Sequence, residues 1–262
     1  MGVERVYPML GRTVIAGVLL AAVSVSPGHA EPVRLVTGPD YAPFADPDLP
    51  EGGLVPALAR AAYDTLGREV EIAFRPWSRG YHKTLRGKYT ATLPYVETPE
   101  RKDAYRYSDP LYTVRRKPMV MADSDVRADD LGELSGHIAC LPVGYAPARR
   151  VQDMLADGDL RRHKPMSMRK CLRTLERGRV DFVLVNSATE GPALARERFG
   201  GTDAVRFLDI PIRQTLHAIF PREREGVQAE LARFNEGLQR LRERGRYERI
   251  VNRFVNGRAR DQ

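Results

Sequence analysis

The residues best suited to chemistry lie in a polar turn that follows a short apolar run at 91–96. Thr98 and Pro99 predict a helix start there, because Thr is a favoured N-cap and Pro fits the first helical turn. Arg101 falls in the same turn, where the helix dipole favours acids over bases. The sequence therefore suggests that Arg101 binds an anion, and a solvated surface arginine is the alternative on the residues alone.

Other polar and aromatic residues follow further predicted strands. In open α/β sheets, ligands bind beyond the carboxyl ends of the strands, so side chains from several such ends meet there. Aromatic residues and arginines recur at these positions, which predicts a ligand site. The segments concerned are Tyr41–Phe44, Trp77–Arg79, Tyr95–Arg101, Gly144–Tyr145 and Asn186–Thr189.

The elements that must position these residues alternate between strand and helix. Apolar runs of strand length are separated by runs at helical spacing, an order typical of an α/β fold with a mainly parallel sheet. Two such halves, joined near residues 121 and 210, predict a bilobal protein with a cleft, and a helical tail breaks near Gly245. The predicted strands are 33–37, 70–74, 91–96, 112–121, 137–143, 161–165, 180–185, 205–208 and 216–220.

Residues 1–30 have the pattern of a secretory signal peptide. Arg5 and Arg12 supply a basic start, and Thr13–Val25 is almost entirely apolar. Gly28-His29-Ala30 then offers a small-x-small cleavage site. The apolar run is shorter than the about 20 residues that span a bilayer, and no later stretch is apolar enough. The mature chain is therefore expected to be soluble and outside the cytoplasm.

The net charge of +8 could attract nucleic acid, an anionic surface or a small anion. Nucleic acid is not expected as a partner of an exported protein. Because the charges are spread along the chain, the excess is interpreted as a general surface property.

Cys140 and Cys171 are the two cysteines of the chain. An even pair in an exported protein predicts a disulfide. The bond would close a loop of about 30 residues and, in the chain-entropy model, stabilise the fold by roughly 3–4 kcal/mol. Two buried free thiols are the alternative. No metal site is expected, because neither thiol has a histidine at ligand spacing.

Across about residues 32–256, several motifs follow one another: GPDYAPF, GGLVPALARAAYDTLG, PWSRG, TLPYVETPERKDAYRYSDP, LSGHIACLPVGY and LERGRVDFVLVN. In this order they resemble the extracellular solute-binding proteins of family 3, the periplasmic receptors of ABC importers for polar amino acids and related small molecules. The resemblance implies a type II periplasmic binding fold, with two Rossmann-like α/β lobes joined by a two-strand hinge. Lobe 1 would be residues 31–121 plus 211–262, and lobe 2 would be 122–210.

In this family a Thr-x-x-Arg after the third strand holds the carboxylate of the ligand, and Thr98 and Arg101 match it. The guanidinium suits this task because it offers a planar fork of donors in short, charge-assisted bonds. Tyr41 and Phe44 match the aromatic positions that cover the ligand's side chain. The alternative for these two is a loop that packs onto the core.

Further positions match the family less closely. Trp77 and Arg79 lie in PWSRG, which resembles a motif of one branch whose ligands are poorly defined; otherwise Trp77 is core and Arg79 is surface. Tyr95 ends a strand that faces the predicted cleft. Gly144 and Tyr145 match a lobe 2 loop whose backbone N–H groups bind the ligand anion at a helix start, unless the loop is an ordinary turn.

Asn186 is the main departure from the family. Members that bind α-amino acids have an aspartate five residues after the Asp of Gly-Arg-x-Asp, and counting from Asp181 gives Asn186. Asparagine brings no charge to offset the buried ammonium of such a ligand. A zwitterion would need another acid, with Glu97 and Glu190 nearest along the chain. The simpler expectation is a carboxylate or another anion with less positive charge.

The resemblance implies a periplasmic protein that captures a small solute and delivers it to the ABC permease in the inner membrane. It implies a monomer that is not an enzyme and needs no cofactor. Two alternatives share the fold, namely an enzyme resembling cyclohexadienyl dehydratase and a periplasmic ligand-sensing subunit. Candidate acids and bases for an enzyme are His82, Glu97, Glu190 and His217.

Overall fold

The structure is a computed structural model that describes residues 1–4, 31–187 and 189–256. Residues 1–30 and residues 31–262 form two separate units. The predicted signal peptide lies outside the described residues except for residues 1–4, and the predicted lobe boundaries stay a prediction. Among the described residues, no helix is both long and apolar enough to cross a bilayer.

Strands and helices alternate along the described part of the chain, as the hydrophobic pattern predicts. The strands are β1 (Val33–Thr37), β2 (Val70–Phe74), β3 (Ala91–Tyr95), β4 (Tyr105–Tyr107), β5 (Tyr112–Met121), β6 (Ile138–Cys140), β7 (Arg161–His163), β8 (Phe182–Asn186), β9 (Val205–Phe207) and β10 (Ile212–Pro221). The α-helices are α1 (Leu54–Asp64), α2 (Trp77–Leu85), α3 (Pro99–Ala104), α4 (Arg149–Ala156), α5 (Met168–Glu176), α6 (Glu190–Phe199), α7 (Val227–Glu243) and α8 (Arg246–Val251). Short 3-10 helices occupy Pro50–Gly52 and Gly132–Leu134, and a π-helical turn occupies Asn252–Asn256.

The strands form one mixed sheet in the order β2-β1-β3-β10-β5-β8-β6-β7, with β4 paired to β10 and β9 paired to β5. Strands β1, β2 and β3 are parallel to one another, as are β6, β7 and β8. The two long strands β5 and β10 run antiparallel to their neighbours. The prediction of a mainly parallel sheet is therefore correct for each half and wrong for the centre, where β5 and β10 carry the chain between the halves.

Each half of the sheet has its own hydrophobic core. In the first half, α1 lies between the sheet and α7, so that Leu58, Tyr63 and Phe234 are almost fully buried. In the second half, Phe182 and Leu184 of β8 belong to a separate core on the other side of the central strands. Burial of this kind is the main favourable contribution to folding, about 25 cal/mol for each Å² of apolar surface removed from water. The central strands thus run between two hydrophobic cores.

The predicted disulfide is present. Cys140 at the end of β6 and Cys171 in α5 are bonded, 31 residues apart along the chain. Both side chains are fully buried in a core cluster that also contains Val183. The bond therefore ties α5 to the sheet at the strand whose carboxyl end leads towards the predicted site.

Candidate functional site

Two adjoining cavities lie where β1, β3 and β6 end. They share six lining residues, namely Trp77, Tyr95, Arg101, Gly144, Tyr145 and Ala146. The inner cavity, of about 40 Å³, is further lined by Tyr41, Pro94, Val96, Arg116, Gln214 and Leu216. The outer cavity, of about 440 Å³, is further lined by Ser78, Tyr81, Thr98, Glu100, Val143, Arg162 and Lys164.

Arg101 lies at the boundary of the two cavities. Its Nη1 donates to the carbonyl of Val96 at 2.9 Å, and its Nη2 donates to the carbonyl of Gly144 at 3.0 Å. The guanidinium carbon is 4.9 Å from the centre of the Tyr95 ring, within the range of a cation–π contact. Because arginine has five N–H donors and these bonds use two, the guanidinium retains donors for an anion in either cavity.

Thr98 positions Arg101 through the start of α3. Its Oγ1 accepts the backbone N–H of Arg101 at 3.3 Å, the N-cap bond that the sequence predicts, and Pro99 begins the helix. Thr98 lines the outer cavity, and its hydroxyl donates to the carboxylate of Glu100, whose pKa is held below its usual range by a backbone hydrogen bond and by this one. The turn therefore places a hydroxyl and a guanidinium on the same side of the site.

Four aromatic rings surround the inner cavity. The Tyr41 ring centre lies 6.3 Å from that of Trp77 and 5.8 Å from that of Tyr145, and Trp77 and Tyr95 are 5.9 Å apart. Trp77 Nε1 donates to the carbonyl of Pro39 at 3.0 Å, which fixes the indole. These rings give the cavity an apolar wall with a few polar groups, the usual composition of a small-molecule site.

Gly38 permits this position of the tryptophan. A Cβ at residue 38 would lie 2.2 Å from atoms of the Trp77 ring. A non-glycine side chain would therefore displace the indole from the wall of the inner cavity.

The hydroxyls of the wall are protonated at neutral pH. Burial raises the pKa of Tyr95 to about 12, against the opposing effect of Arg101. Burial also raises the pKa of Tyr41 and of Tyr145. The tyrosines are therefore neutral donors and acceptors, and the positive charge of Arg101 is not cancelled by a tyrosinate.

The loop at Gly144 and Tyr145 lines both cavities, and the predicted role of its backbone N–H groups in binding an anion stays a prediction. The Tyr145 N–H is bonded to the carbonyl of Pro142 at 3.1 Å, and the Gly144 carbonyl accepts from Arg101. Arg162 holds this loop by donating to the carbonyls of Pro142 and Tyr145 at 3.1 and 2.8 Å. Because α4 begins only at residue 149, its N-terminus is not directly behind the loop.

Direct hydrogen bonds join segments that are distant along the chain and meet around the inner cavity. Tyr145 Oη donates to the carbonyl of Asp40 at 3.1 Å, and Gln152 Nε2 donates to the carbonyl of Glu97 at 2.9 Å. Gln214 Nε2 donates to the carbonyl of Ala146 at 2.8 Å. Together with the bond between Arg101 and Gly144, these contacts close the segments around the inner cavity.

Phe44 and Arg79 lie outside both cavities. Phe44 is fully buried, packs against Tyr41 with 5.0 Å between ring centres, and supports that ring from behind. Arg79 is exposed on α2. It lies two residues from Trp77, and side chains two apart in a helix point to different faces, so Trp77 turns towards the site and Arg79 turns away.

Asn186 also stands back from the cavities. It is buried at the end of β8, where its Oδ1 accepts the backbone N–H of Thr189 at 3.2 Å. Its own backbone N–H donates to Glu190 Oε2 at 3.1 Å. The structure therefore places Asn186 in the turn that starts α6, one layer behind the cavity wall.

Arg116 and Gln214 are lining residues that the sequence reasoning missed. Arg116 is 4% exposed on β5, and Gln214 is 5% exposed on β10. Both stand at inward positions of strands that alternate between buried and exposed, in phase with Val114 and Leu216. A polar residue in the apolar phase of a strand is the signal that could have identified them.

No acidic side chain lines the inner cavity within the described residues. Glu97 is exposed, and its carboxylate is 2.5 Å from Lys102 Nζ. Glu190 is buried and pairs with Arg116 at 3.4 Å. The inner cavity thus combines two guanidinium groups with aromatic and amide groups.

The acid and base candidates for catalysis are not collected at the site. His82 is exposed, and His217 Nδ1 contacts the carbonyl of Ser108 at 2.7 Å. Neither histidine lines either cavity, and neither Glu97 nor Glu190 does. Among the described residues, no group of three His, Cys, Asp or Glu side chains is placed to hold a metal ion.

A larger cavity, of about 740 Å³, lies elsewhere, beside α1 and α8. Two ion pairs lie among its charged groups, since Arg246 bonds Asp64 at 2.5 Å and Arg253 bonds Glu51 at 2.7 Å. None of its described lining residues is aromatic, and it lies at the start of β2, away from the carboxyl ends of the strands. The aromatic site around Arg101 is therefore the better candidate for ligand binding, although its inner cavity is much smaller.

Solved structures share this architecture. A histidine kinase sensor domain with similarity to periplasmic binding proteins matches with a TM-score of 0.71 and 22% identity, over 87% of this chain and 97% of its own. An ancestral amino acid-binding protein, a precursor of cyclohexadienyl dehydratase, matches with a TM-score of 0.65 and 21% identity, over 85% of this chain and 94% of its own. The fold is that of the type II periplasmic binding proteins, as expected.

Sequence comparison places the chain in a family. Residues 33–257 match the model of the bacterial extracellular solute-binding proteins, family 3. A probable histidine-binding protein of Neisseria gonorrhoeae is 23% identical over 242 residues, which cover 89% of this chain and 86% of that protein. The chain belongs to the bacterial extracellular solute-binding proteins of family 3, which confirms the resemblance seen in its motifs.

Proposed function

We propose that this chain is a periplasmic binding protein for a small organic acid, held through its carboxylate by Arg101, and that it favours acids without an α-ammonium group. The proposal is carried by one observation. The guanidinium of Arg101 lies at the boundary of both cavities, and among the described residues that line the inner cavity none is acidic.

A carboxylate fits the free donors of Arg101. Two donors are bonded to backbone carbonyls, which are neutral acceptors, and a carboxylate would form shorter and stronger charge-assisted bonds. The Thr98 hydroxyl, in the outer cavity, would become a further donor to the same group by giving up its bond to Glu100. The bond from Arg101 to Gly144 links the two sides of the cleft, so a ligand that shares these donors would also bias its opening and closing.

The aromatic wall supports a compact organic body behind the carboxylate. The inner cavity of about 40 Å³ admits only a small group, whereas the outer cavity of about 440 Å³ has room for the rest of a ligand. Trp77 and Tyr95 line both cavities and would contact the ligand in either one. Burying an apolar body against these rings contributes affinity without demanding one particular side chain.

An ammonium group is disfavoured in the inner cavity, because none of the described residues that line it is acidic; Glu100 lines only the outer cavity. Glu190 is bound to Arg116 and Glu97 to Lys102. A buried ammonium without a carboxylate partner carries a desolvation cost of several kcal/mol. Histidine and other amino acids, the ligands in the names of the relatives, carry a carboxylate as well as an ammonium group. The ammonium group is therefore what distinguishes an amino acid ligand from the organic acid proposed here.

Matched pairs of acids test this proposal. Each pair has the same side chain and carries either a 2-hydroxyl or a 2-ammonium: lactate and alanine, malate and aspartate, 2-hydroxyglutarate and glutamate, phenyllactate and phenylalanine, imidazolelactate and histidine. Trp77 is the single tryptophan of the chain and lines both cavities, so its fluorescence reports binding. Calorimetric titration then gives the affinities.

The expected result is that the hydroxy acid binds more tightly than its amino acid in every pair that binds. Tighter binding of the amino acids would overturn the preference for acids without an ammonium. Failure of all ten acids to bind at millimolar concentration would overturn the choice of a 2-substituted carboxylate.

Delivery to an ABC permease and a periplasmic location are parts of the same proposal, supported by membership of an extracellular solute-binding family. Fractionation of the native host should recover the mature chain with periplasmic markers. Deletion of the gene should abolish uptake of the best-binding acid, and the wild-type gene should restore uptake while an Arg101→Ala gene should not. Normal uptake in the deletion strain would contradict a transport function.

A binding function is favoured over catalysis because the candidate acids and bases lie outside both cavities. The best-binding acid should therefore be recovered chemically unchanged after prolonged incubation with the protein. Mass spectrometry of the mixture checks this, and conversion that depends on Arg101 would indicate an enzyme instead.

A further inference from the structure

A buried ion pair directly behind the inner cavity takes no part in the proposed capture of a carboxylate. Arg116 on β5 is 4% exposed and Glu190 at the start of α6 is 8% exposed, with 3.4 Å between Nη1 and Oε2. Arg116 lines the inner cavity, whereas Glu190 does not. Ion pairs this deeply buried seldom add net stability, so another explanation for this one is worth seeking.

The pair is connected to the cavity wall through Tyr41. Arg116 Nη2 donates to Tyr41 Oη at 2.8 Å, and its guanidinium lies 5.6 Å from the centre of that ring. Arg116 Nη1 also donates to the carbonyl of Leu184 at 2.7 Å. Burial alone lowers the pKa of Arg116, but the neighbouring Tyr41 and Glu190 raise it above its ordinary value, so the group is cationic.

The charge of Glu190 reaches the cavity wall as well. Burial raises the pKa of Tyr145, and the negative charge of Glu190 raises it further. Burial and Glu190 also raise the pKa of Tyr41, while Arg116 opposes them. Both tyrosines line the inner cavity, so the negative charge of Glu190, if Arg116 did not offset it, would also act on a ligand there.

We infer that Arg116 determines the charge specificity of the site. By pairing with Glu190, it cancels the charge of an acid that would otherwise attract an ammonium group into the inner cavity. The charge of Arg101 is then not offset by any carboxylate among the described residues of the inner cavity, and the site selects an anion. This inference deepens the proposed function and rests on it.

The inference makes opposite predictions for the two members of the pair. Arg116→Met leaves Glu190 uncompensated and should shift preference towards amino acids. Glu190→Gln leaves Arg116 uncompensated and should strengthen the preference for hydroxy acids. The double variant, Arg116→Met with Glu190→Gln, removes both charges and should return the preference close to that of the wild type.

The experiment measures the affinity ratio of hydroxy acid to amino acid in the five matched pairs for all four proteins. Each single variant should change this ratio by about ten- to a hundredfold, in opposite directions, as expected for a unit charge roughly 6–12 Å away at an effective dielectric constant of about 20. A ratio is used because a variant that merely loosens the cleft weakens both members of a pair alike.

Lys117 and Asp209 supply the matched control. Lys117 is adjacent to Arg116 on β5, points to the opposite face, and bonds Asp209 at 2.6 Å on the surface. Lys117→Met and Asp209→Asn therefore make the same changes in net charge outside the site. They should leave the affinity ratio unchanged.

The outcomes separate this inference from the proposed function. Wild-type protein that prefers amino acids contradicts the proposed function. Wild-type protein that prefers hydroxy acids, with Arg116→Met and Glu190→Gln shifting the ratio in the same direction or no more than the controls, overturns the inference alone. Should Arg116→Met fail to fold because it leaves a buried acid unpaired, Glu190→Gln and the double variant still decide the question.

Discussion

Arg101→Ala is the substitution that tests the site most directly. The wild-type guanidinium donates to the carbonyls of Val96 and Gly144 and lies 4.9 Å from the Tyr95 ring. Alanine removes the donors and the charge together and leaves the backbone of α3 in place, because the N-cap bond uses the backbone N–H of residue 101. The variant therefore separates the chemistry of the side chain from the formation of the helix.

The loss of affinity can be worked from the number of bonds. A hydrogen bond to a charged group contributes about 1.5–3 kcal/mol, so a carboxylate held by two donors loses about 3–6 kcal/mol. At 1.4 kcal/mol for each factor of ten, binding should weaken by about a hundredfold to ten-thousandfold. The empty protein loses one half-buried and one exposed bond to neutral carbonyls, which together contribute about 1–3 kcal/mol. Its melting temperature should therefore fall by only several degrees.

Calorimetric titration with the best-binding acid measures the affinity, and thermal unfolding of the empty protein measures the stability. Arg79→Ala is the matched control, because Arg79 is exposed and lies outside both cavities but carries the same charge. Arg101→Lys keeps the charge without the planar fork and should give an intermediate loss.

Two results would refute the reasoning on Arg101. If Arg101→Ala bound the acid as tightly as the wild type, the guanidinium would not contact the ligand. If Arg79→Ala weakened binding as much as Arg101→Ala, the effect would be one of overall charge and not of a site. A collapse in stability of empty Arg101→Ala protein would instead show that its bonds to Val96 and Gly144 mainly maintain the fold.

Three further predictions follow from the buried groups. Cys140→Ala with Cys171→Ala should lower the free energy of unfolding by about 3–4 kcal/mol, because the bond closes a loop of 31 residues; urea unfolding under oxidising conditions measures this. Tyr95 has a pKa of about 12 in the folded protein and 10.0 in the unfolded chain. Its contribution to the free energy of unfolding is therefore complete below pH 10.0, and about 2–3 kcal/mol of stability is lost as the pH rises through 12. Urea unfolding at stepped alkaline pH should show a shallower fall for Tyr95→Phe. Gly38→Ala should displace the Trp77 ring and lower the free energy of unfolding by about 1–3 kcal/mol. The displacement should shift the fluorescence emission of Trp77 and weaken binding of the best-binding acid. An unchanged emission spectrum would contradict the close approach of residue 38 to the ring.

The order of elements was predictable because it depends on local rules. The start of α3 follows from the preferences of Thr98 and Pro99, and the break between α7 and α8 falls at Gly245, as the sequence indicates. The disulfide followed from an even cysteine count and a predicted export signal. None of these inferences requires knowledge of which distant residues meet.

The direction of individual side chains was less predictable. Tyr41 and Phe44 occupy one turn, closed by a bridge between residues 41 and 45, and only the tertiary structure decides that Phe44 turns into the core. Arg79 could have been excluded from helical geometry alone, once Trp77 was placed in the site. The antiparallel centre of the sheet was missed because strand direction depends on how the chain returns between its halves.

Arg116 and Gln214 show where pattern reading and family resemblance each have a limit. Resemblance directs attention to positions that match known sites, and neither residue belongs to a matched motif. Their positions in β5 and β10, in phase with the apolar residues, do identify them, because a polar or charged side chain among buried apolar ones requires a buried partner.

The identity of that partner changes the interpretation of Asn186. Read alone, Asn186 indicates that an acid for an ammonium is missing from the site. In the structure, an acid is present four residues later as Glu190, bonded to the backbone of Asn186 and neutralised by Arg116. The charge preference of the site would therefore depend on the balance of this pair, and it follows that one substitution at residue 116 should achieve what restoring an aspartate at 186 would be expected to achieve. A change of specificity in Arg116→Met without any change at residue 186 would establish this point, and an unchanged specificity would return the decision to Asn186 itself.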